Sequence, residues 1–442
     1  MYLYDNLEGM TGPPTRVLLM GLNYPPERTG VAPYTGAAAA GLRLRGIATG
    51  VITAHPHYPS WRIFEGYGQW SRRETIADVD VRRVRHYVPR KPSTVRRVVS
   101  ELTFGARQVW TRWGSPDVIV AVSPALLATA LVVARAKLIS HGTPVVVWVQ
   151  DLYTVGVTET GRGGRGSRRA ISAIEGWVLR NAAAVIVIHK RFADRITKDF
   201  GVPGDKIQVV RNWAHLGPMS PLNTDSVRAS HGWRDDETVV LHAGNIGVKQ
   251  GLENVIEAAR LAADRKAPLR FVFLGGGGER DRIRALANHL PTVQFIDPLP
   301  DEEFASTLIA ADVLLVNEKA GVAEMAVPSK LTSYFSTGRP VLAATDHDGI
   351  TAEEVAAAGA GLVVASDDPA SLLAGALALR AQPEAARRHG ENGLRYRQTV
   401  LDEETALDRL SEILTAVAAE RATPSGRQHT TAAEAPNGVP LD

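Results

Sequence analysis

Two stretches of this chain bring together glycine, a mobile cation and a helix start, the residue types that hold a phosphate. The first is His242-Ala243-Gly244-Asn245-Ile246-Gly247-Val248-Lys249-Gln250-Gly251, running into Leu252-Glu253-Asn254-Val255-Ile256. Gly244 and Gly247 let the backbone come close to a ligand. Unpaired amides at a helix start favour an anion, and Lys249 adds an ammonium at the same place. The second is Pro328-Ser329-Lys330-Leu331-Thr332-Ser333. Pro328 suits the first position of a helix, which would turn the amides of Ser329, Lys330 and Leu331 toward an anion. The first stretch is neither a Walker A loop nor a dinucleotide GxGxxG, and by itself it also fits an ordinary turn with a surface lysine. Two such starts in one domain point to one phosphorylated ligand. A third loop, Leu274-Gly275-Gly276-Gly277-Gly278-Glu279-Arg280, reads either as a flexible turn or as a seat for a flat base, with Gly276 and Glu279 as candidate contacts.

All three loops follow short apolar runs, and the chain alternates such runs with helical spacing from end to end. The sequence predicts strands at 16–22, 49–54, 81–86, 117–122, 144–149, 184–188 and 206–210, with helices at 34–45, 94–113, 124–139, 166–181 and 190–200. A second alternating run has strands near 238–243, 269–274, 292–296, 312–316, 340–344 and 361–364. The expected class is α/β, two Rossmann-like βαβ domains facing across a cleft. Ligands of such sheets sit at the carboxyl ends of the strands, where Gly30, His55 and His57 also fall. The expected division is a leader (1–15), a first domain (16–215), a linker (216–236), a second domain (237–400), a C-terminal helix (401–420) and a disordered tail (421–442).

The 442 residues include no cysteine, which excludes disulfides and thiolate metal sites. No apolar run reaches the ~20 residues of a spanning helix, and residues 1–15 lack a signal-peptide core. A cytoplasmic protein is expected. Net charge is only +3, but Arg82, Arg83, Arg85, Arg90, Lys91, Arg96, Arg97, Arg107 and Arg112 crowd a span whose only acid is Glu101. Arg162, Arg165, Arg168 and Arg169 add to them. This is either a solvated face with a core stripe or a surface for an anionic membrane. No nucleic-acid motif accompanies the charge.

The sequence resembles the large retaining GT-B family of glycosyltransferases (family 4 type), and within it the branch of colanic-acid and O-antigen biosynthesis. The resemblance is carried by Asn23-Tyr24-Pro25-Pro26-Glu27 with Gly30 and Pro33-Tyr34-Thr35-Gly36, Ala54-His55-Pro56-His57-Tyr58-Pro59, and Tyr87-Val88-Pro89 with Lys91-Pro92. It continues in Val149-Gln150-Asp151-Leu152, Gly244-Asn245 with Lys249-Gln250-Gly251-Leu252-Glu253, and Pro328-Ser329-Lys330-Leu331-Thr332 with Gly338-Arg339-Pro340-Val341. It implies a nucleotide-sugar donor, a UDP-sugar as substrate, no cofactor and no metal. Asn245, Gly247, Lys249 and Gln250 match the donor diphosphate site, as do Ser329, Lys330 and Leu331, with Gly30 closing from the first domain. Glu324 approximately matches the first acid of the Glu-x7-Glu motif. The second acid is replaced by Ser333, which weakens the expected ribose contact. Asp151 falls beside the position where many members of the family carry an acceptor-side histidine and would orient or deprotonate the acceptor hydroxyl. The acceptor implied is a polyprenyl-diphosphate-linked glycan at the inner face of the membrane.

Asp78-Val79-Asp80 has the form of a metal triplet but reads as a turn entering a strand, and Asp346-His347-Asp348 reads as a structural loop. His57 is an acceptor-side candidate. Two other functions remain open: a sugar-nucleotide 2-epimerase of GT-B shape, and a non-catalytic nucleotide-sugar-binding protein.

Overall fold

The computed structural model describes residues 14–28, 30–91, 93–140, 142–154, 165–213, 224–321 and 329–422. Most of the expected leader, part of the linker and nearly all of the tail lie outside these residues, as do Glu324, Pro328 and Arg162. The first sheet contains β1 (Arg16–Gly21), β2 (Ala48–Ala54), β3 (Ser71–Ile76), β4 (Val79–Val84), β5 (Val118–Val122), β6 (Val145–Val149), β7 (Ala184–Val187) and β8 (Ile207–Val209). Its order is β3-β4-β2-β1-β5-β6-β7-β8, parallel except for the β3–β4 pair. The second contains β9 (Thr238–Ala243), β10 (Leu269–Leu274), β11 (Val293–Ile296), β12 (Val313–Asn317), β13 (Val341–Ala344) and β14 (Gly361–Val364). Its order is β11-β10-β9-β12-β13-β14, with parallel pairing throughout.

The central strands are unbroken apolar runs because helices cover both faces of each sheet. Val118-Ile119-Val120-Ala121-Val122 and Val145-Val146-Val147-Trp148-Val149 are buried at every position. Strand β3 is different. Ser71-Arg72-Arg73-Glu74-Thr75-Ile76 alternates exposed and half-buried residues at the edge of its sheet, so it gives no apolar signal. Its hairpin to β4 turns at Ala77 and Asp78, both with positive φ. The triplet at 78–80 therefore belongs to a turn entering a strand.

Each sheet has a core on either face. The last helix, Glu403–Ala422, follows the second sheet in sequence but packs on the first. Its Leu407, Leu410 and Leu414 join the core formed by β1 and the helix Ala32–Leu44. Burying each leucine is worth about 1.5–3 kcal/mol. Gly41 makes the crossing possible, since a Cβ there would lie 2.5 Å from Leu407 Cδ1.

Candidate active site

The first stretch folds as the sequence suggests, as a strand, a glycine turn and a helix. Strand β9 ends at Ala243, the turn passes through a single helical turn at Val248–Gln250, and the helix Glu253–Asp264 follows. Internal hydrogen bonds fix the turn. Gln250 Oε1 accepts from the Gly247 amide at 3.1 Å and from Asn245 Nδ2 at 3.5 Å. Asn317 Nδ2 donates to the carbonyls of Gln250 at 2.7 Å and Gly251 at 3.0 Å, and Lys319 N donates to Lys249 O at 2.9 Å. Gln250 thus spends its carbonyl oxygen inside the loop. Asn245 and Lys249 stay exposed above it.

Two glycines of the four-glycine loop have a reason within the fold for their lack of a side chain. A Cβ on Gly275 would strike the backbone of Gly244, and one on Gly277 the backbone of Ile246. The two loops are laced together, with Ile246 N donating to Gly276 O at 2.8 Å and Glu279 N donating to Ile246 O at 3.0 Å. Only Gly276 and Gly278 keep open space. The Glu279 carboxylate accepts from Arg282 Nε at 2.6 Å.

Beneath the first turn lies a buried polar chain. Lys330, on the helix Ser329–Phe335, places Nζ 3.4 Å from His242 Nε2. Burial, with help from Lys330, lowers the His242 pKa well below its ordinary value. Burial thus favours the neutral ring, whose Nε2 also lies 3.4 Å from Asn245 O. Burial pushes Lys330 down to about 8, against the pull of the Glu318 carboxylate. Glu318 is held by hydroxyls of Thr345 at 2.6 Å and Thr351 at 2.9 Å. Leu331 is fully buried, so only its backbone can face a ligand. Ser333 is half-buried. Sequence reasoning passed over Glu318, although a carboxylate directly after a buried strand, at its carboxyl end, is a usable signal.

Across the cleft, Asp151 follows β6. Ser123 Oγ donates to Asp151 O at 3.0 Å and accepts from Gln150 N at 2.9 Å. Burial raises the Asp151 carboxyl to about 7, and the charge of Lys249 opposes that rise. Residues named on opposite sheets therefore face each other. Gly30 lies in an exposed turn at φ +68°, with the Tyr58 ring 3.5 Å from where a Cβ would stand. The Tyr34 hydroxyl reaches Thr332 of the second sheet's domain.

His57 is enclosed rather than presented to the cleft. It is 1% exposed, its Nδ1 is 2.9 Å from His55 O, and its ring meets Trp61 and His86 edge-on. Its amide donates to Glu27 at 2.6 Å, and that buried acid also accepts from Tyr58 N and Asn23 Nδ2, both at 2.8 Å. Arg83 departs from the expected basic surface. It is fully buried, pairs with Glu74, and donates to Ala54 O at 2.9 Å. Its side chain points inward because β4 is covered on that face. Asp346 is structural, accepting from Gly321 N at 2.9 Å and from Ser366 Oγ.

Residues 29–213 match the glycosyl transferase 4-like domain, and residues 223–396 match glycosyl transferases group 1. The chain is 32% identical over 338 residues to a glycosyl transferase of Escherichia coli (strain K12) named for colanic acid biosynthesis, WcaI, covering 73% of this chain and 81% of that one. This chain belongs to the GT-B glycosyltransferases. It is also 25% identical over 263 residues to the glycosyltransferase WbjE of Pseudomonas aeruginosa, across 58% of this chain and 64% of that one. Among solved structures the fold is similar to sucrose-phosphate synthase from Thermosynechococcus elongatus, with TM-score 0.71 and 17% identity over 92% of this chain and 100% of that one. It is also similar to Anabaena HepE in complex with UDP, with TM-score 0.68 and 15% identity over 91% and 100%. For a glycosyltransferase of this fold, the cleft between the two sheets is the place to look for both substrates. No helix among the described residues is long and apolar enough to cross a membrane.

Proposed function

We propose that the chain transfers a sugar from a nucleotide-sugar donor, a UDP-sugar, to a lipid-linked glycan acceptor with retention of configuration and without a metal. The reading rests chiefly on the Lys249 ammonium, which stands over the glycine turn close enough to act on Asp151. Breaking the donor's glycosidic bond leaves a nucleoside diphosphate whose negative charge grows as the bond lengthens. On this reading Lys249 above the turn and Lys330 below it bring positive charge to where that charge would develop, so they favour the transition state over the ground state. Asp151 orients the acceptor hydroxyl and takes its proton as the hydroxyl attacks. Same-face attack with the leaving diphosphate needs no enzyme nucleophile and no glycosidase-type carboxylate pair. The name of WcaI and the UDP complex of HepE are consistent with a polysaccharide role and a uridine donor.

The helix Thr94–Trp110 supports the membrane side of this reading. At about 100° per residue, Glu101, Phe104, Gly105 and Gln108 share its buried face, while Val95, Val99, Leu102 and Trp110 form an apolar stripe on the opposite one. Val95 is 73% exposed and Trp110 80%, so these residues are no core stripe. Glu101, the one acid of the span, is buried. An apolar stripe beside Arg96 and Arg107 suits the inner, anionic face of a cell membrane.

The test is incubation of the purified chain with labelled UDP-sugars, with and without a polyprenyl-diphosphate-linked sugar. Acceptor-dependent release of UDP is the expected result. An altered free donor would indicate epimerisation instead, and binding without turnover a sensor.

A further inference from the structure

We propose that an open cavity beside the cleft holds the phosphate or diphosphate end of the acceptor, a subsite that builds on the lipid-linked acceptor reading above. The cavity, about 720 Å3, lies beyond the carboxyl ends of β2 and β4. Its polar and aromatic wall consists of Trp61, Arg62, Arg85, His86, Tyr87 and Arg90, and no acid lines it.

The three arginines are uncommitted. Among the described residues, the guanidiniums of Arg62, Arg85 and Arg90 have neither an ion pair nor a side-chain hydrogen bond. Arg83, two residues from Arg85, is by contrast consumed by Glu74. A fourth guanidinium, that of Arg97, lies 5.2 Å over the Trp61 ring. Guanidiniums about 10 Å apart repel by roughly 0.4 kcal/mol per pair even at water's dielectric. A multiply charged anion reverses the sign of that energy, and the guanidinium fork fits phosphate oxygens two at a time. His86 closes the inner wall: it is 8% exposed, with its Nε2 buried and unpartnered among the described residues.

The surroundings select the kind of phosphate. Exposed Tyr87 and half-buried Trp61 offer apolar faces inside a cationic pocket. Arg97 also lies in the first turn of the helix whose outer stripe starts at Val95 and Val99. A phosphate carrying a prenyl chain satisfies both features, whereas an inorganic phosphate satisfies one. The distance also matters. Strands β2 and β4 are three and four places from β6 in the sheet order, which is roughly 14–19 Å at ~4.8 Å per strand. That is too far for the anomeric phosphate and the accepting hydroxyl of one sugar ring. The acceptor inferred therefore carries more than one sugar between its diphosphate and the hydroxyl beside Asp151.

The probe is farnesyl diphosphate, titrated calorimetrically into the full chain with excess UDP present to fill the donor turn. The double variant Arg85→Gln with Arg90→Gln is expected to bind it at least tenfold more weakly, with unchanged Tm and unchanged affinity for UDP alone. Equal affinity in wild type and variant overturns the proposal. So does a variant that keeps farnesyl diphosphate but loses phosphatidylglycerol vesicles, since the cavity would then be a headgroup dock. If UDP fails to bind the wild type, the donor reading falls, while the farnesyl diphosphate comparison still decides this site.

Discussion

At the scale of single residues, the site is defined by where burial puts charge. On the proposed reading Lys249→Ala removes a cation from beside the departing diphosphate, and turnover is expected to fall about 10²–10³-fold with circular dichroism unchanged; near-normal turnover removes Lys249 from the chemistry. On the same reading Asp151 and Lys330 set the pH dependence. With its carboxyl raised to about 7 by burial, Asp151 gains its proton as pH falls, so kcat/KM is expected to drop below pH 7. Lys330, lowered to about 8 by burial, loses its charge as pH rises, so kcat/KM drops again above 8. The profile reports the free enzyme. A bound diphosphate holds the proton on Lys330, so the alkaline limb should move upward in kcat. Asp151→Asn should abolish the acid limb. The same raised carboxyl means that the folded state holds its proton more tightly than the unfolded chain does. Stability contributed by that proton is present below the ordinary carboxyl range and lost as pH rises through 7. Asp151→Asn should therefore raise Tm at pH 8 relative to wild type and leave it nearly unchanged at pH 3; a Tm difference independent of pH would contradict this.

At the scale of elements, two glycines and one helix face carry the argument. Gly275 and Gly277 both have positive φ and both press on the donor turn. Gly277→Ala must push the 275–279 loop away from Ile246, so UDP affinity should fall at least tenfold. Gly276→Ala, with only Pro298 at 3.7 Å, should leave it within about twofold, the small effect of an unstrained site. Equal effects of the two substitutions would show that the loop contact is irrelevant to the donor. On the helix Thr94–Trp110, replacing Arg96 and Arg97 by Glu should weaken sedimentation with anionic vesicles by 2 kcal/mol or more, at ~1 kcal/mol per basic residue lost; unchanged sedimentation leaves only a solvated face. These elements also show what could be read in advance. Runs such as Val118-Ile119-Val120-Ala121-Val122 announce buried parallel strands by composition alone, and the order of such runs gave the fold class. Strand β3 was hidden because an edge strand needs only one partner and tolerates Arg72, Arg73 and Glu74. The glycines at 275 and 277 were visible, but their purpose was not, because the neighbour they accommodate lies about thirty residues away in sequence. Lys330 was legible as a helix-start cation, whereas its dependence on His242 and Glu318 required two strands and a helix to be brought together.

At the scale of the whole molecule, the two sheets are tied together below the cleft by the helix Ile350–Ala358. Its first residue, Ile350, is 1% exposed and belongs to the first sheet's core. Four residues on, Glu354 is buried and pairs with Arg211, and lies 3.7 Å from His189 Nε2, both from the first domain. Arg191 reaches Glu353 and the carbonyl of Asp348 beside them. Burial alone would raise the Glu354 carboxyl, but His189 and Arg211 hold it below its ordinary value. Its contribution to domain pairing is therefore complete above the usual glutamate range and lost as pH falls through the lowered value. Glu354→Gln leaves Arg211, itself 19% exposed, without its charge partner. Breaking a buried pair costs about 3–5 kcal/mol, and partial exposure of the arginine puts this case near 2–3 kcal/mol. Since a two-domain chain does not unfold in one step, the readouts are the first urea transition and small-angle scattering. At pH 7 the variant should unfold its first step earlier and show a broader distance distribution. As pH falls below the usual glutamate range and through the lowered value the wild type should converge on the variant, because the carboxylate that distinguishes them becomes protonated. Matching first transitions at pH 7 would mean that Ile350 and the returning helix Glu403–Ala422 hold the cleft without this ion pair, and a gap that does not narrow as pH falls would mean that the variant loses something other than the Glu354 charge.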